Sequence, residues 1–378
     1  MTVNLLPLEL VYEIIDFLAA LHPRSLRAGS LVCHAWLSRI RPILFSTITL
    51  RKKNIVAFIE ILRSPNDCSF LPLIRRINAH RLIGDAFDLY FDAVSNDLRT
   101  SAHIHTLEMN LLMSVHGTAL LADKAFRTGF VTAFPQLNTL ELVCGFWPLH
   151  TDAVIDMICL FPELEVLQLT DIIGGLVVDI PDTATPPQKL RSVILGAGAA
   201  ELILTWFIEA GVPPLLDSLT LSAARPTDTL PVSQTLQRYG RMLRHIDIVI
   251  SPFHRFTGMV RISLYRIVDT LSIFNLSWVP NLKTLTIRDL TARPTSEEFI
   301  ALITLTAPVL ERLYCEIDIS FHQREDWEIM DAFLSRERFP LLNQVTLPVA
   351  HPSECRRATR VFPLLHAAGL LRAEWRGY

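Results

Sequence analysis

The segment FPELEVLQLT, Phe161 to Thr170, places apolar residues at Leu164, Leu167 and Leu169 behind Pro162. The last two alternate, as in a strand with one buried face. The same apolar-x-x-apolar-x-apolar pattern begins at Phe45, Ile104, Leu137, Leu190, Leu216, Leu243, Leu282 and Leu342, and its first two positions alone at Ile74 and Leu310, often with Pro two positions ahead. Successive first positions lie 29, 30, 33, 27, 26, 26, 27, 39, 28 and 32 residues apart. A period of that size means stacked supersecondary units.

Between the alternating stretches the spacing turns helical. Leu202, Ile203, Trp206 and Phe207 form one face that Gly211 can close, and Trp327, Met330, Phe333 and Leu334 form another. Thr295-x-x-Glu298 is a capping box ahead of Phe299, Leu302 and Ile303, in which the cap contributes about 1 kcal/mol. One strand and one helix per unit, all turning the same way, predict an α/β chain: a curved parallel sheet inside and helices outside. A doubly wound α/β domain also alternates strand and helix, but it does not require the recurring Pro-x-Leu-x-x-Leu-x-Leu.

The array resembles the irregular leucine-rich repeats found behind F-boxes, and that resemblance implies a solenoid over residues 51–378. Two departures bear on its regularity. Gly145, Ile172, Ala224 and Leu290 stand at or near the position after the strand where asparagine is usual. The 39-residue interval from Leu243 to Leu282 hides an extra or distorted element around Met259 to Trp278.

The first fifty residues read differently. LPLELVYEIIDFL, Leu6 to Leu18, predicts a helix starting near Pro7, whose missing N–H suits a first turn, with Glu9 at the positive end of the dipole. Ser25 and Gly29 bracket a short second helix. Ser30 is placed to cap a third that carries Leu31, Val32, Ala35, Trp36, Ile40 and Ile43 and ends near Pro42. Three short helices in about fifty residues cannot bury so many large side chains among themselves, so part of that surface must meet something else. A helical cap sealing a stacked domain is one solution.

The entry Leu6-Pro7-x-Glu9-Leu10, with Ile14, Leu18 and the block Leu31-Val32-Cys33-x-x-Trp36, resembles an F-box, and the Arg41-Pro42-Ile43-Leu44-Phe45 tail looks like that of fungal members. The resemblance covers residues 1–50. It implies the substrate-recognition subunit of an SCF-type ubiquitin ligase, itself no enzyme and needing no cofactor, with a Skp-type adaptor and a cullin scaffold as partners. Leu6, Pro7, Leu10, Ile14, Leu18, Leu31, Val32, Cys33 and Trp36 would then form the adaptor patch or its support. An unidentified target protein would meet the strand residues that alternate with the buried ones: Thr139, Glu141, Gln168, Thr220, Asp247, Thr286, Arg288, Tyr314 and Thr346. A repeat scaffold outside any ligase, or an enzyme with a site at its strand ends, are the competing functions.

Composition narrows the classes. Half of the 378 residues are hydrophobic and 19% charged, and 35 basic residues against 38 acidic ones leave a net charge of −3. Long disorder is not expected, and Arg51-Lys52-Lys53 is too short for a nucleic-acid footprint. Glu9, Glu13 and Asp16 interrupt the N-terminal run where a secretory leader needs an unbroken apolar core, and no run is long enough to span a membrane. A cytoplasmic or nuclear protein is expected. Cys33, Cys68, Cys144, Cys159, Cys315 and Cys355 are scattered with neither metal-ligand nor disulfide spacing.

Catalytic motifs fail on inspection. Gly196-Ala-Gly198-Ala-Ala-Glu201 follows a predicted strand and opens a predicted helix, but an acid at Glu201 would repel a pyrophosphate, and a tight turn is the better reading. His103 and His105 fall on one side of a predicted strand without a third metal ligand nearby. Nucleophile-elbow, zincin and phosphate-loop signatures are missing from the sequence.

Overall fold

The computed structural model describes residues 7–22, 24–51, 53–64, 69–80, 103–110, 133–143, 151–170, 180, 184–196, 198–211, 214–222, 228–249, 275–288, 306, 308–316, 324–349 and 351–375. Leu6, Cys68, Cys144, the capping box at Thr295, the four residues at the asparagine-type positions and most of the long interval lie outside these. The chain divides into two compact units, Met1–Val143 and Cys144–Tyr378.

The first unit opens with three helices, α1 (Leu8–Leu21), α2 (Ser25–Gly29) and α3 (His34–Phe45). Val11 and Ile15 of α1 meet Leu26 of α2 and Ile40 of α3 in a small core, with Leu18, Trp36, Ile43 and Leu44 packed around it. Gly29 permits the α2–α3 approach, since a Cβ there would lie 2.9 Å from the Ile40 Cδ1. Arg39 bonds the Asp16 carboxylate through two nitrogens, at 3.2 and 2.6 Å, and its guanidinium lies 5.3 Å from the centre of the Tyr12 ring.

Local chemistry corrects three boundaries. Pro7 is the N-cap of α1, in extended conformation, and not a first-turn residue. Leu31 and Val32 are not helical. Their N–H groups bond back to the Ala28 and Gly29 carbonyls in a turn, and α3 starts only after Cys33. Pro42 does not end α3, which runs on to Phe45. The bond that Pro42 cannot make is only one turn from the helix end, and Ile43 and Leu44 hold that turn by packing on the core.

Four strands follow in chain order: β1 (Thr47–Leu50), β2 (Arg76–His80), β3 (Thr106–Asn110) and β4 (Thr139–Val143), each parallel to the next. Helix α4 (Ile55–Leu62) crosses between the first two. His103 and His105 fall just before β3 and not on it. His105 Nδ1 lies 3.3 Å from the Gln136 carbonyl, and His103 is exposed.

The described residues of the second unit form eight parallel strands, again in chain order: β5 (Val166–Thr170), β6 (Ser192–Leu195), β7 (Ser218–Ser222), β8 (His245–Val249), β9 (Thr284–Arg288), β10 (Arg312–Cys315), β11 (Gln344–Val349) and β12 (Leu371–Trp375). Its described helices are α5 (Thr151–Cys159), α6 (Ala199–Glu209), α7 (Thr229–Tyr239), α8 (Arg324–Phe333), α9 (Pro352–Val361) and α10 (Pro363–Ala367). The fold is an α/β leucine-rich-repeat-like solenoid, with every strand that the pattern anticipated in place. β12 was not anticipated, because Ala368 and Ala373 stand where the pattern asks for large apolar residues.

Register has one recurring device. The carbonyl of the residue preceding a strand accepts two N–H groups from the start of the next. Arg75 O takes those of His105 and Thr106, Asp217 O those of Arg244 and His245, and Arg244 O those of Lys283 and Thr284. The strands are therefore unshifted. Side chains alternate between a buried row, such as Leu167, Val193, Leu219, Ile246 and Leu285, and a part-exposed row on the opposite face.

Side chains from one repeat secure the helices of another. Buried Asp228 Oδ1 accepts the Glu201 N–H in the first turn of α6 at 3.0 Å, and Tyr239 Oη donates to the Phe207 carbonyl at 2.8 Å. Asp331, 2% exposed in α8, accepts the Leu364 and Leu365 N–H groups of α10 at 2.7 and 2.9 Å. Near the end of the long interval a 3-10 turn, Leu276–Trp278, packs on α7 at Gly240, where a Cβ would fall 2.5 Å from the Trp278 carbonyl oxygen.

Asp331→Asn replaces an acceptor with a donor facing a buried N–H and is expected to cost about 1–3 kcal/mol. Gly240→Ala forces a backbone shift and is expected to cost at least as much. Urea midpoints of both variants against the parent check the pair.

Candidate functional site

Helix α1 is apolar on two faces. Val11 and Ile15 point into the three-helix core, whereas Leu10, Ile14 and Phe17 stack one above another about 100° round the helix. That second row is 44%, 40% and 64% exposed, and the turn between α2 and α3 adds Leu31 at 87% and Val32 at 62%. Single exposed apolar side chains are ordinary, but six on one small bundle, with Leu8 at 46%, are not.

The expected adaptor residues therefore divide in two. Leu10, Ile14, Leu31 and Val32 are exposed, and Pro7 and Cys33 are exposed at the N-caps of α1 and α3. Leu18 and Trp36 are half-buried against the core and support the helices rather than present a surface. Phe17 and Leu8, exposed at 64% and 46%, belong with the first group and were missed. Helical spacing from Leu10 would have found Phe17.

The strand residues expected to face a target lie in rows set by register. In the second unit Gln168, Ile194, Thr220, Asp247, Thr286, Tyr314 and Thr346 are partnered strand by strand, continuing to Arg372. Ile194 escaped the sequence reading because it is apolar. Thr346 occupies its place in the row but is only 5% exposed, with its hydroxyl accepting from Gln344 Nε2 at 2.8 Å. Arg288 stands at the C-terminal end of β9, where its guanidinium grips Asp247 Oδ2 at 2.5 Å. Burial pushes the Asp247 carboxyl above the usual carboxylate range, and Arg288 opposes that. The second Asp247 oxygen is buried with no hydrogen-bond partner, as is the Thr284 hydroxyl.

In the first unit Glu141 lies in register with Glu108 and Asn78, and Thr139 with Thr106 and Arg76. Arg76 bonds Glu108 at 2.8 Å, Glu141 at 2.6 Å and Asn78 at 2.9 Å across three strands. Glu141 is thus already engaged within the protein.

Within Gly196–Glu201 the Ala199 N–H bonds back to the Gly196 carbonyl at 3.1 Å, as the turn reading expects. Gly198 adopts a φ of 75° at the N-cap of α6, and the Asp228 carboxylate takes up the Glu201 N–H in the first turn. Among the described residues no group of three or more His, Cys, Asp or Glu side chains is placed to hold a metal, and no helix is long and apolar enough to cross a membrane.

No family model and no curated protein matches the chain. Among solved structures, the leucine-rich repeat-containing protein LegL7 from Legionella pneumophila superposes with a TM-score of 0.40 at 11% identity, covering 74% of this chain and 87% of its own. A Bacteroides fragilis protein superposes with a TM-score of 0.39, also at 11% identity, covering 87% of this chain and 73% of its own.

The cysteines provide reporters for these surfaces. Cys33 is exposed, whereas burial, aided by nearby Asp156, pushes the Cys159 thiol up to about 11, and burial holds the fully enclosed Cys315 thiol well above the usual thiol range. At pH 8 a thiol of that pKa is ionised in only about one molecule in a thousand. Iodoacetamide followed by peptide mass mapping is expected to label Cys33 ahead of Cys159 and Cys315, which are modified only after unfolding.

Proposed function

We propose that this chain is the substrate-recognition subunit of an SCF-type ubiquitin ligase, docking a Skp-type adaptor through its N-terminal helices and a target protein through its repeats. The observation that carries the reading is the exposed Leu10-Ile14-Phe17 row with Leu31 and Val32, on a bundle whose own core is already filled by Val11, Ile15, Leu26 and Ile40. A helix that merely seals a solenoid turns its apolar residues inward. Here one row does so and a second is left in water, at a cost that a partner helix packed on it would remove.

In this reading the adaptor covers the second row of α1 and the turn that follows α2. Cys33 caps α3 beside that turn, and Leu18 and Trp36 hold the helices at their mutual angles. The cullin is reached through the adaptor. The repeats contribute no chemistry of their own; their ordered rows of Thr, Gln, Asp, Tyr and Arg supply the mixed hydrogen-bonding surface that a protein target needs.

Leu10→Asp with Ile14→Asp is expected to weaken capture of a purified Skp-type adaptor by at least a hundredfold, with helix content unchanged because both positions are exposed. Adaptor binding is also expected to slow alkylation of Cys33. Unchanged capture by the double variant would remove the assignment. Failure of the parent chain to bind any Skp-type adaptor would favour a helical cap on a repeat scaffold.

A further inference from the structure

A groove of about 580 Å³ runs along the strand-entry edge of the second unit, and no part of the functional reading uses it. Its floor is built from the residues whose carbonyls set the register: Arg191, Asp217, Arg244, Lys283 and Glu311. Their backbones are committed to the fold, and their side chains project along the edge. Arg241 joins them, its carbonyl held by Asn281 Nδ2 at 2.7 Å.

The groove is positive on a chain whose net charge is −3. Four cations line it against two acids. Arg244 approaches Asp217 at 3.6 Å and Lys283 pairs with Glu311 at 2.7 Å. Among the described residues the Arg191 and Arg241 guanidinium groups have neither an ion pair nor a side-chain hydrogen bond. Two unneutralised, fork-shaped donors in a concave setting match carboxylates.

The same lining carries two exposed leucines, with half-exposed Met242 and Val309 between them. Leu215, 57% exposed, precedes β7, and Leu341, 53% exposed, precedes β11. Four strand intervals separate them, about 19 Å at ~4.8 Å each, a span that an extended chain crosses in about six residues. We propose that this groove docks an extended acidic segment of a partner protein, its carboxylates on Arg191 and Arg241 and two apolar side chains about six positions apart on Leu215 and Leu341. Nucleic acid fits less well, because Asp217 and Glu311 would oppose a continuous phosphate backbone and the two leucines would have nothing to bury. The proposal is independent of adaptor docking, which uses another part of the chain.

The test uses the full chain and a fluorescein-labelled peptide, GLEEDEELG, in a polarisation titration. Saturable binding is expected, falling about tenfold or more when NaCl rises from ~50 to ~300 mM. Arg191→Glu with Arg241→Glu is expected to weaken it at least tenfold, the neutral Arg191→Gln with Arg241→Gln by less, and Leu215→Ser with Leu341→Ser several-fold. These side chains are exposed, so urea midpoints should match the parent. The Leu10→Asp, Ile14→Asp chain should bind the peptide normally, which separates failure here from failure of the adaptor reading. The proposal falls if the parent chain shows no saturable binding, if the charge-reversed variant binds equally, if GLQQNQQLG binds as well, or if oligodeoxythymidine binds more tightly than the acidic peptide.

Discussion

The fold depends on an unshifted stacking of strands, held at most of the described strand entries by a carbonyl that accepts two N–H groups from the start of the next strand. The device recurs through both units, at Arg75, His105, Glu165, Arg191, Asp217, Arg244 and Lys283. An unshifted register places every equivalent residue in a row. Leu167, Val193, Leu219, Ile246 and Leu285 therefore form one continuous buried column, and a slip of a single residue would turn such a column out to solvent. The same constraint lines up the polar residues on the opposite face. Alignment there is a consequence of burial on the other side and needs no separate cause.

Much of this was legible because leucine spacing and strand register are the same information. A repeat that buries two residues per strand must show them at i and i+2, and each anticipated strand does. Where the side chains shrink the signal fades. In β12, Ala373 occupies the position held by Leu347 in β11, and the strand is invisible by pattern although it pairs along its whole length. The long-range caps were equally hidden. Nothing near Asp331 in the sequence says that its two oxygens will meet the Leu364 and Leu365 amides, because that contact exists only once α8 and α10 are packed. At the N-terminus the apolar period located the helices, but it could not tell that Leu31 and Val32 sit in a turn, since hydrophobicity records burial and these two are not buried.

That exception is informative about the candidate surface. Sequence reasoning counts apolar residues and asks whether the bundle can hold them; the structure shows how they divide. Ile15 and Ile40 are fully enclosed while Ile14, adjacent to the first of them, is 40% exposed. Both are isoleucines on one helix, adjacent in the chain, so the difference comes from packing alone. The Arg39–Asp16 pair contributes to fixing it, joining the polar side of α1 to α3. Being exposed, that pair adds little stability, but it favours one rotational setting of the helix, the one that leaves Leu10, Ile14 and Phe17 uncovered.

Charge at the strand-entry edge follows a different logic. The residue before a strand offers its carbonyl to the next, and that role is indifferent to the side chain: Glu165, Arg191, Asp217, Arg244 and Lys283 each accept two N–H groups, and Glu311 accepts one. Folding therefore imposes no reason for these positions to be charged, and the ion pairs among them are exposed enough to contribute about 0–1 kcal/mol each. Side chains that the backbone leaves undetermined, on a rigid and evenly spaced edge, are where a repeat protein can vary recognition without disturbing its core. In the second unit that edge concentrates cations between Arg191 and Lys283 and adds exposed leucines ahead of β7 and β11, so its chemistry is set by something other than the demands of stacking.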